Sequence, residues 1–244
     1  MPNIRIFYIH YNTSKYEKNS RDPYKSRPEL FSYENCFLNL VQSIRNSIYK
    51  ESVHLTIWFD GNLEDFQTDF LAKHIPPDIN TSLVHGEFRS GTRSCMALVR
   101  HIAQGSFAPN DLIYCLENDY SHQSGWLDKT MELVESELSF DYLSLYDHVD
   151  NYRLAIHQRM NTQLFFTNTH IWKTALSTCW SFITRHKTFC EDYELLSSNE
   201  DFMLFIKLNT IGRRLIVALP GLSTHCMLNL ESPGVNWTDV RSKY

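Results

Sequence analysis

The chain has 244 residues, with 23 Lys plus Arg against 28 Asp plus Glu, and a formal net charge of −5 with its 11 histidines neutral. That mildly acidic balance argues against a nucleic-acid partner, which needs a basic face, but leaves room for an anionic small ligand held by one local cation. With 43% hydrophobic residues, a chain of this length can bury a core without staples, and since none of its six cysteines forms a CxxC pair, free and mostly buried thiols in a reducing compartment are expected.

The first residues, MPNIRIFYIHYN, have no basic start followed by a long apolar run, so no secretory leader is expected. No apolar stretch approaches the roughly 20 residues needed to cross a bilayer. The expectation is a soluble, cytoplasmic protein with no transmembrane segment. Ile4–Ile9 reads as a strand covered on both faces. The polar stretch Tyr11–Pro28, YNTSKYEKNSRDPYKSRP, reads as a loop long enough to carry function. From Ser32, the residues Cys36, Phe37, Leu40, Val41, Ile44 and Ile48 recur at helical spacing. Val53–Phe59 is a second strand, ended by Asp60 beside Gly61. A turn aspartate and a hydrogen-bond acceptor for a ligand are both open there.

FRSGTRS, residues Phe88–Ser94, lies between a short strand and a helical pattern over Ser94–Gln104. Gly91 permits close backbone approach, a helix start offers N–H groups to an anion, and Arg93 suits a diphosphate. The segment lacks the lysine and spacing of a P-loop, and a solvated turn is the alternative. Leu112–Leu116 is a strand that runs directly into Glu117, Asn118 and Asp119. Two carboxylates one residue apart at a strand end can share a hard cation, Mn²⁺ or Mg²⁺, whose other ligands are phosphate and water. An acidic turn is the plainer alternative.

Further on, Trp126–Leu138 is helical, and Tyr142–Tyr146 is a strand leading into Asp147 and His148. Leu164–Thr167 is a strand, and Phe202–Leu208 a helix behind the cap-like Ser198 and Asn199. Glu200 and Asp201 sit at that helix start, where the dipole favours acids in any case. Leu215–Leu219 is a last strand, followed by PGLSTH and His225. Alternation of strands and helices predicts an α/β sheet with right-handed connections, and ligands bind beyond the carboxyl ends of such strands.

LENDY resembles the acidic DxD-type motif of GT-A-fold glycosyltransferases, in an E-x-D form. The longer LENDYSHQSGW resembles the EDDYLHRPG segment of a bacterial and viral, family 2-like group of glycosyltransferase-like proteins. The likeness continues through RIFYIHYN, ENCFLNL, YLSLYDHVDNY, HIWKTALS, EDF and PGLSTH, in order and over nearly the whole chain. The resemblance implies a GT-A-like, Rossmann-type α/β fold with a mixed, mainly parallel sheet flanked by helices. It implies one domain over 1–244, with a nucleotide-sugar-binding half over about 1–120 and an acceptor and catalytic half over about 121–244.

The activity it implies is metal-dependent, inverting transfer of a sugar from a nucleotide diphosphate donor, by analogy UDP-linked, to a glycan or other hydroxyl acceptor. Carried over residue by residue, Asp119 holds Mn²⁺ or Mg²⁺ with Glu117 and His225. Asp60, Gly91, Arg93, Glu117 and Asn118 meet the donor. Asp201 is the general base with Glu200 beside it. The strand-end pair Asp147 and His148 points into the same cleft and suits acceptor contact, with a hydrogen-bonded loop pair as the alternative. Trp172 and Trp126 offer rings for a sugar, with core packing as theirs. The Tyr11–Pro28 loop then orders over the donor as a lid. Two other classes remain open. A nucleotidyltransferase wants a glycine-rich loop after its first strand, and YNTSKYEKNS has no glycine. A non-catalytic carbohydrate-binding or scaffold protein would have lost the base.

Overall fold

A computed structural model of the chain describes residues 1–11, 26–88, 90–158, 161–198 and 201–244, without the side chains of 158, 201 and 202. The strands are β1 (Ile4–Tyr11), β2 (Val53–Asp60), β3 (Asn80–Gly86), β4 (Leu112–Glu117), β5 (Tyr120–His122), β6 (Tyr142–Ser144), β7 (Leu164–Phe166), β8 (Ile171–Ala175), β9 (Phe182–Arg185), β10 (Leu215–Leu219) and β11 (Ser223–His225). Nine of them form one sheet in the order β3-β2-β1-β4-β9-β6-β10-β8-β7, and β11 and β5 form a small second sheet. The pairings β3-β2-β1-β4 and β6-β10 are parallel, while β9 and β8 run against their neighbours.

Side-chain alternation along each central strand divides the core in two. Ile4, Ile6 and Tyr8 of β1, Leu55, Ile57 and Phe59 of β2, and Leu112, Tyr114 and Leu116 of β4 enter one cluster, with Phe37, Leu40 and Ile44 of the helix Tyr33–Arg45 and Trp126 and Met131 of the helix Trp126–Glu135. Phe7, Trp58, Ile113 and Cys115 enter the other, with Leu98 and Ile102 of the helix Gly91–Gln104 and Leu204, Phe205 and Leu208 of the helix Asp201–Thr210. The near-continuous apolar runs thus serve a sheet with helices on both faces. Each fully buried Leu or Ile contributes about 1.5–3 kcal/mol.

Local chemistry sets the helix limits. Ser32 accepts from the Asn35 N–H and Ser90 from the Arg93 N–H, so the first two long helices begin at Tyr33 and Gly91. The helix from Trp126 stops at Glu135 rather than Leu138: the Ser136 hydroxyl bonds back to the Leu133 carbonyl and accepts from the Leu138 N–H. β6 stops at Ser144 rather than Tyr146, because the Ser144 hydroxyl accepts from the Tyr146 N–H and turns the chain. β5, β8, β9 and β11 lie in segments with no strand pattern of their own. Cys36, Cys95, Cys115 and Cys226 are buried free thiols, as expected for most of the six, while Cys179 is half-buried and Cys190 exposed. No helix among the described residues is long and apolar enough to cross a membrane.

Candidate functional site

Parallel pairing brings the carboxyl ends of four strands to one edge. Tyr11 pairs with Asp60, Asp60 with Gly86, and Ile9 with Glu117. Asp60 and Glu117 therefore stand two strand spacings apart, about 10 Å across the sheet. Beyond β4 the chain makes the Asn118–Asp119 turn and enters β5. That short strand pairs antiparallel with β11, and His225 falls opposite Tyr120. The pairing is what joins the two halves of the site: the Cys226 N–H donates to the Asp119 carbonyl, 2.8 Å, and the His225 ring stacks flat on Tyr120 at 5.1 Å.

The Asp119 carboxylate is only 6% exposed. Its Oδ2 accepts from His225 Nε2 at 3.1 Å and from Arg27 Nη1 at 2.9 Å. Burial alone would raise the acid's pKa, but the His225 and Arg27 cations outweigh it and hold the carboxyl down at about 2. For His225, burial disfavours the charged ring, and the Asp119 carboxylate, with help from Glu117, reverses the shift upward. Glu117 itself is half-buried, and its N–H donates to Ser181 Oγ. His225 is thus acted on by both acids of the motif, Asp119 directly and Glu117 through its charge.

The signs fix a pH window. His225, raised above 6.5, contributes stability in full below that value and loses it as pH rises through the folded value. Asp119, lowered from 3.8, contributes above 3.8 and loses it as pH falls toward 2. A His225→Gln protein should therefore lag wild type in urea unfolding at about pH 5.5 and close most of that gap by about pH 9. A gap that widened with pH would mean that the ring is neutral in the folded state.

Asn118 turns inward. Its amide donates to His10 Nδ1 at 3.0 Å, His10 Nε2 then donates to Asp69 at 3.2 Å, and Tyr8 Oη donates to the Asn118 carbonyl. The middle residue of the acidic motif is an anchor that fixes the turn between its neighbours. Asp60 is 6% exposed and its Oδ1 accepts from the Phe88 N–H at 2.9 Å, so one oxygen holds the backbone that leads to Gly91. Gly91 is exposed, with open space where a Cβ would stand, and Arg93 is exposed one turn into the same helix.

Two acceptor-side expectations are corrected. Trp172 is wholly buried in the main core, with its indole N–H on Thr167, so it has no face for a sugar; Trp126 is equally buried, bonded to Ser43. Asp147 is also fully enclosed, with Lys173 at 2.7 Å on Oδ1 and Tyr152 Oη at 2.5 Å on Oδ2, and is committed to that internal pair. His148, in contrast, is half-buried against Tyr146 at 4.9 Å between ring centres. Burial lowers its pKa against the raising effect of Asp150, with His225 adding to the fall, and the His148 and His225 rings both lie against Tyr146. His122, left without a role by the sequence, is buried against Tyr114 Oη, and burial brings it down to about 3.

Asp201 opens the helix Asp201–Thr210; its side chain, Glu200 and the cap residue Asn199 lie outside the described residues. The helix turns at Gly212 into β10, so it runs against β10 and its first residue lies toward the edge where β10 ends. Phe205 packs on Phe182, at 5.5 Å, and Phe182 pairs with Cys115, two residues before Glu117. Residues 12–25 of the expected lid also lie outside the described set. Arg27, His10, Tyr33 and Tyr120 were not predicted as site residues, and Arg27, one of several cations in its segment, gave no distinguishing signal.

No protein-family model matches the sequence, and no curated protein matches it. Among solved structures, the chain is similar to Staphylococcus aureus TarS, with 12% identity and a TM-score of 0.50, over 88% of this chain and 35% of that one. It is also similar to the galactosyltransferase LgtC, solved with donor and acceptor sugar analogues, with 8% identity and a TM-score of 0.48, over 87% and 72%. A third likeness is to a Desulfovibrio desulfuricans G20 protein named as a nucleotide-diphospho-sugar transferase, with 10% identity and a TM-score of 0.47, over 89% and 80%. At these identities the likeness speaks to architecture, and together with the sheet order it shows that the chain has the GT-A-type glycosyltransferase fold.

Proposed function

We propose that this chain is a glycosyltransferase that moves a sugar from a nucleotide diphosphate donor, UDP-linked by the resemblance, to a hydroxyl of a glycan or other acceptor. The observation that carries the reading is the meeting of Asp119 and His225 beside Glu117 at the carboxyl edge of a GT-A-type sheet. It is a place where a phosphate-bound ligand belongs in such sheets.

The residues suit a divalent cation shared with a ligand. Asp119 Oδ2 and His225 Nε2 are 3.1 Å apart, about the edge between neighbouring ligand atoms whose bonds to the ion are roughly 2.1 Å. An oxygen and nitrogen pair favours Mn²⁺ over Mg²⁺. Among the described residues there is no group of three of His, Cys, Asp and Glu that could hold a metal ion. Glu117 is therefore not gathered with Asp119 and His225 into a three-ligand set, and phosphate and water would have to complete the shell of an ion held by that pair. When bound, such an ion neutralises charge on the departing diphosphate. Asp60 and the Gly91–Arg93 helix start lie on the donor side of the edge and His148 on the other side. Asp201 takes the proton from the acceptor hydroxyl, and attack proceeds with inversion.

A thermal-shift panel of nucleoside diphosphates with and without Mn²⁺ tests the reading. One nucleotide is expected to stabilise the protein by RT ln(1 + [L]/Kd), about 2.7 kcal/mol at a hundredfold excess over Kd. The shift should need the metal and vanish in Asp119→Asn. A flat response across the panel would favour a non-catalytic scaffold.

A further inference from the structure

Arg27 stands where the transferase reading needs room. Its Nη1 donates to Asp119 Oδ2 at 2.9 Å and to the Cys226 carbonyl at 2.9 Å, and its Nη2 to Tyr33 Oη at 3.2 Å. The guanidinium also lies over the rings of Phe31, at 4.5 Å, and Tyr33, at 5.6 Å. The oxygen it holds is the same Oδ2 that faces His225. A divalent ion cannot approach that oxygen while a guanidinium is fixed 2.9 Å away, because two cations would share one carboxylate oxygen in a poorly solvated place. Arg27 lies outside the sheet, in the stretch that leads to the helix Tyr33–Arg45, beside the Leu228 N–H bond to the Ser26 carbonyl and before Pro28. The head group can therefore leave Asp119 without unfolding an element of the sheet. A planar guanidinium released at that point matches one partner above all, the paired oxygens of a phosphate.

The geometry points to Arg27 as an exchangeable counter-ion: it neutralises Asp119 in the free protein, and moves to the diphosphate of the donor when a divalent cation takes the carboxylate. This assignment rests on the glycosyltransferase reading of the same site, and it makes Arg27 a donor-binding residue with two alternative partners. It accounts for a buried acid whose Oδ2 is held by two nitrogen donors although the same acid is the proposed cation ligand. It also makes cation and donor binding mutually dependent, because each frees a partner for the other.

The test uses the full chain and reads binding rather than turnover. Mn²⁺ alone is titrated against wild type, Arg27→Gln and Arg27→Lys by the EPR signal of free Mn²⁺, and UDP is titrated by calorimetry at saturating Mn²⁺. Without its resident cation, Arg27→Gln is expected to bind Mn²⁺ about tenfold more tightly, the scale of one screened charge pair. It should also bind UDP about tenfold more weakly, for want of the phosphate contact. Arg27→Lys, a point charge without the fork, should lie between the two in both titrations, and it carries the test if the glutamine protein does not fold. Unchanged Mn²⁺ affinity, or unchanged UDP affinity, in the substituted proteins overturns the exchange. If wild type binds Mn²⁺ and UDP and the variants match it, this assignment alone falls. If wild type binds neither Mn²⁺ nor any nucleoside diphosphate, the transferase reading falls with it.

Discussion

Replacing Asp201 with asparagine is expected to lower turnover by roughly 10²- to 10⁴-fold, the range that one positioned general base supplies. Metal-dependent UDP binding should stay at the wild-type level. Asparagine keeps the size and the acceptor oxygen of aspartate, so it can still serve a helix start, and what it loses is basicity. Two lines support the choice. The EDF segment matches the base-bearing position of the resembled family, and the helix Asp201–Thr210 runs against β10, which directs its first residue toward the edge that holds Glu117 and Asp119. The decisive readout is the split between constants: kcat should fall while the UDP dissociation constant holds. Turnover unchanged in Asp201→Asn would remove this residue from the chemistry, and a joint loss of binding and turnover would make it structural.

Lys173→Ala should destabilise the fold by about 3–5 kcal/mol, because it strands a buried charge. The Lys173 ammonium lies 2.7 Å from Asp147 Oδ1, with side-chain exposures of 7% and 0%. It also donates to Tyr152 Oη at 2.6 Å and lies 4.1 Å from the centre of that ring. For a chain of this length the cost corresponds to a fall in Tm of roughly 6–20 °C. The paired replacement Asp147→Leu with Lys173→Met removes both charges at once and should recover most of the loss, since well-packed apolar groups can replace a buried ion pair at little cost. Nucleotide binding should be unaffected at temperatures where the single variant is folded. If instead Lys173→Ala keeps its Tm but loses acceptor affinity, then Asp147 belongs to the acceptor site as its strand-end position suggested, and its assignment here as an internal ion pair is wrong.

The site is coupled to this pair through chain geometry and through the Asp147 charge, which acts on His148. Asp147 follows the turn after β6, and the Gly221 backbone passes so close that a Cβ there would stand 2.4 Å from Ser232 Oγ and 3.1 Å from the Asp147 nitrogen. Leu222 then bonds to the Leu145 carbonyl and starts the path into β11. The Asp147–Lys173 pair thus braces the turn beside the strand that delivers His225.

Much of the architecture was legible because the strands that build the carboxyl edge are strongly apolar and contiguous. IRIFYI, VHLTIWF and LIYCLE could hardly be anything but covered strands, and the helices facing them carry clean 3.6-residue spacing. The acidic turn was legible for the same reason: a polar cluster directly after a buried strand falls at a strand end. β9 was not legible, because Phe182–Arg185 is four residues long and gains its place only by pairing with both β4 and β6. Trp172 and Asp147 misled, since residue type indicates what a side chain can contact but not which way its strand turns it.

From its linear order alone the chain determined an α/β sheet, the edge on which its acids stand, and the candidates Glu117 and Asp119. Those follow from local burial patterns and the spacing of a short-range motif; His225 became a candidate only through the resemblance. Only the folded arrangement decided that His225 and Arg27 meet on one oxygen of Asp119, that Asn118 faces His10, and that Lys173 neutralises Asp147. Partners 92 or more residues apart in the first of these cases are chosen by strand pairing and packing, and no local pattern encodes them.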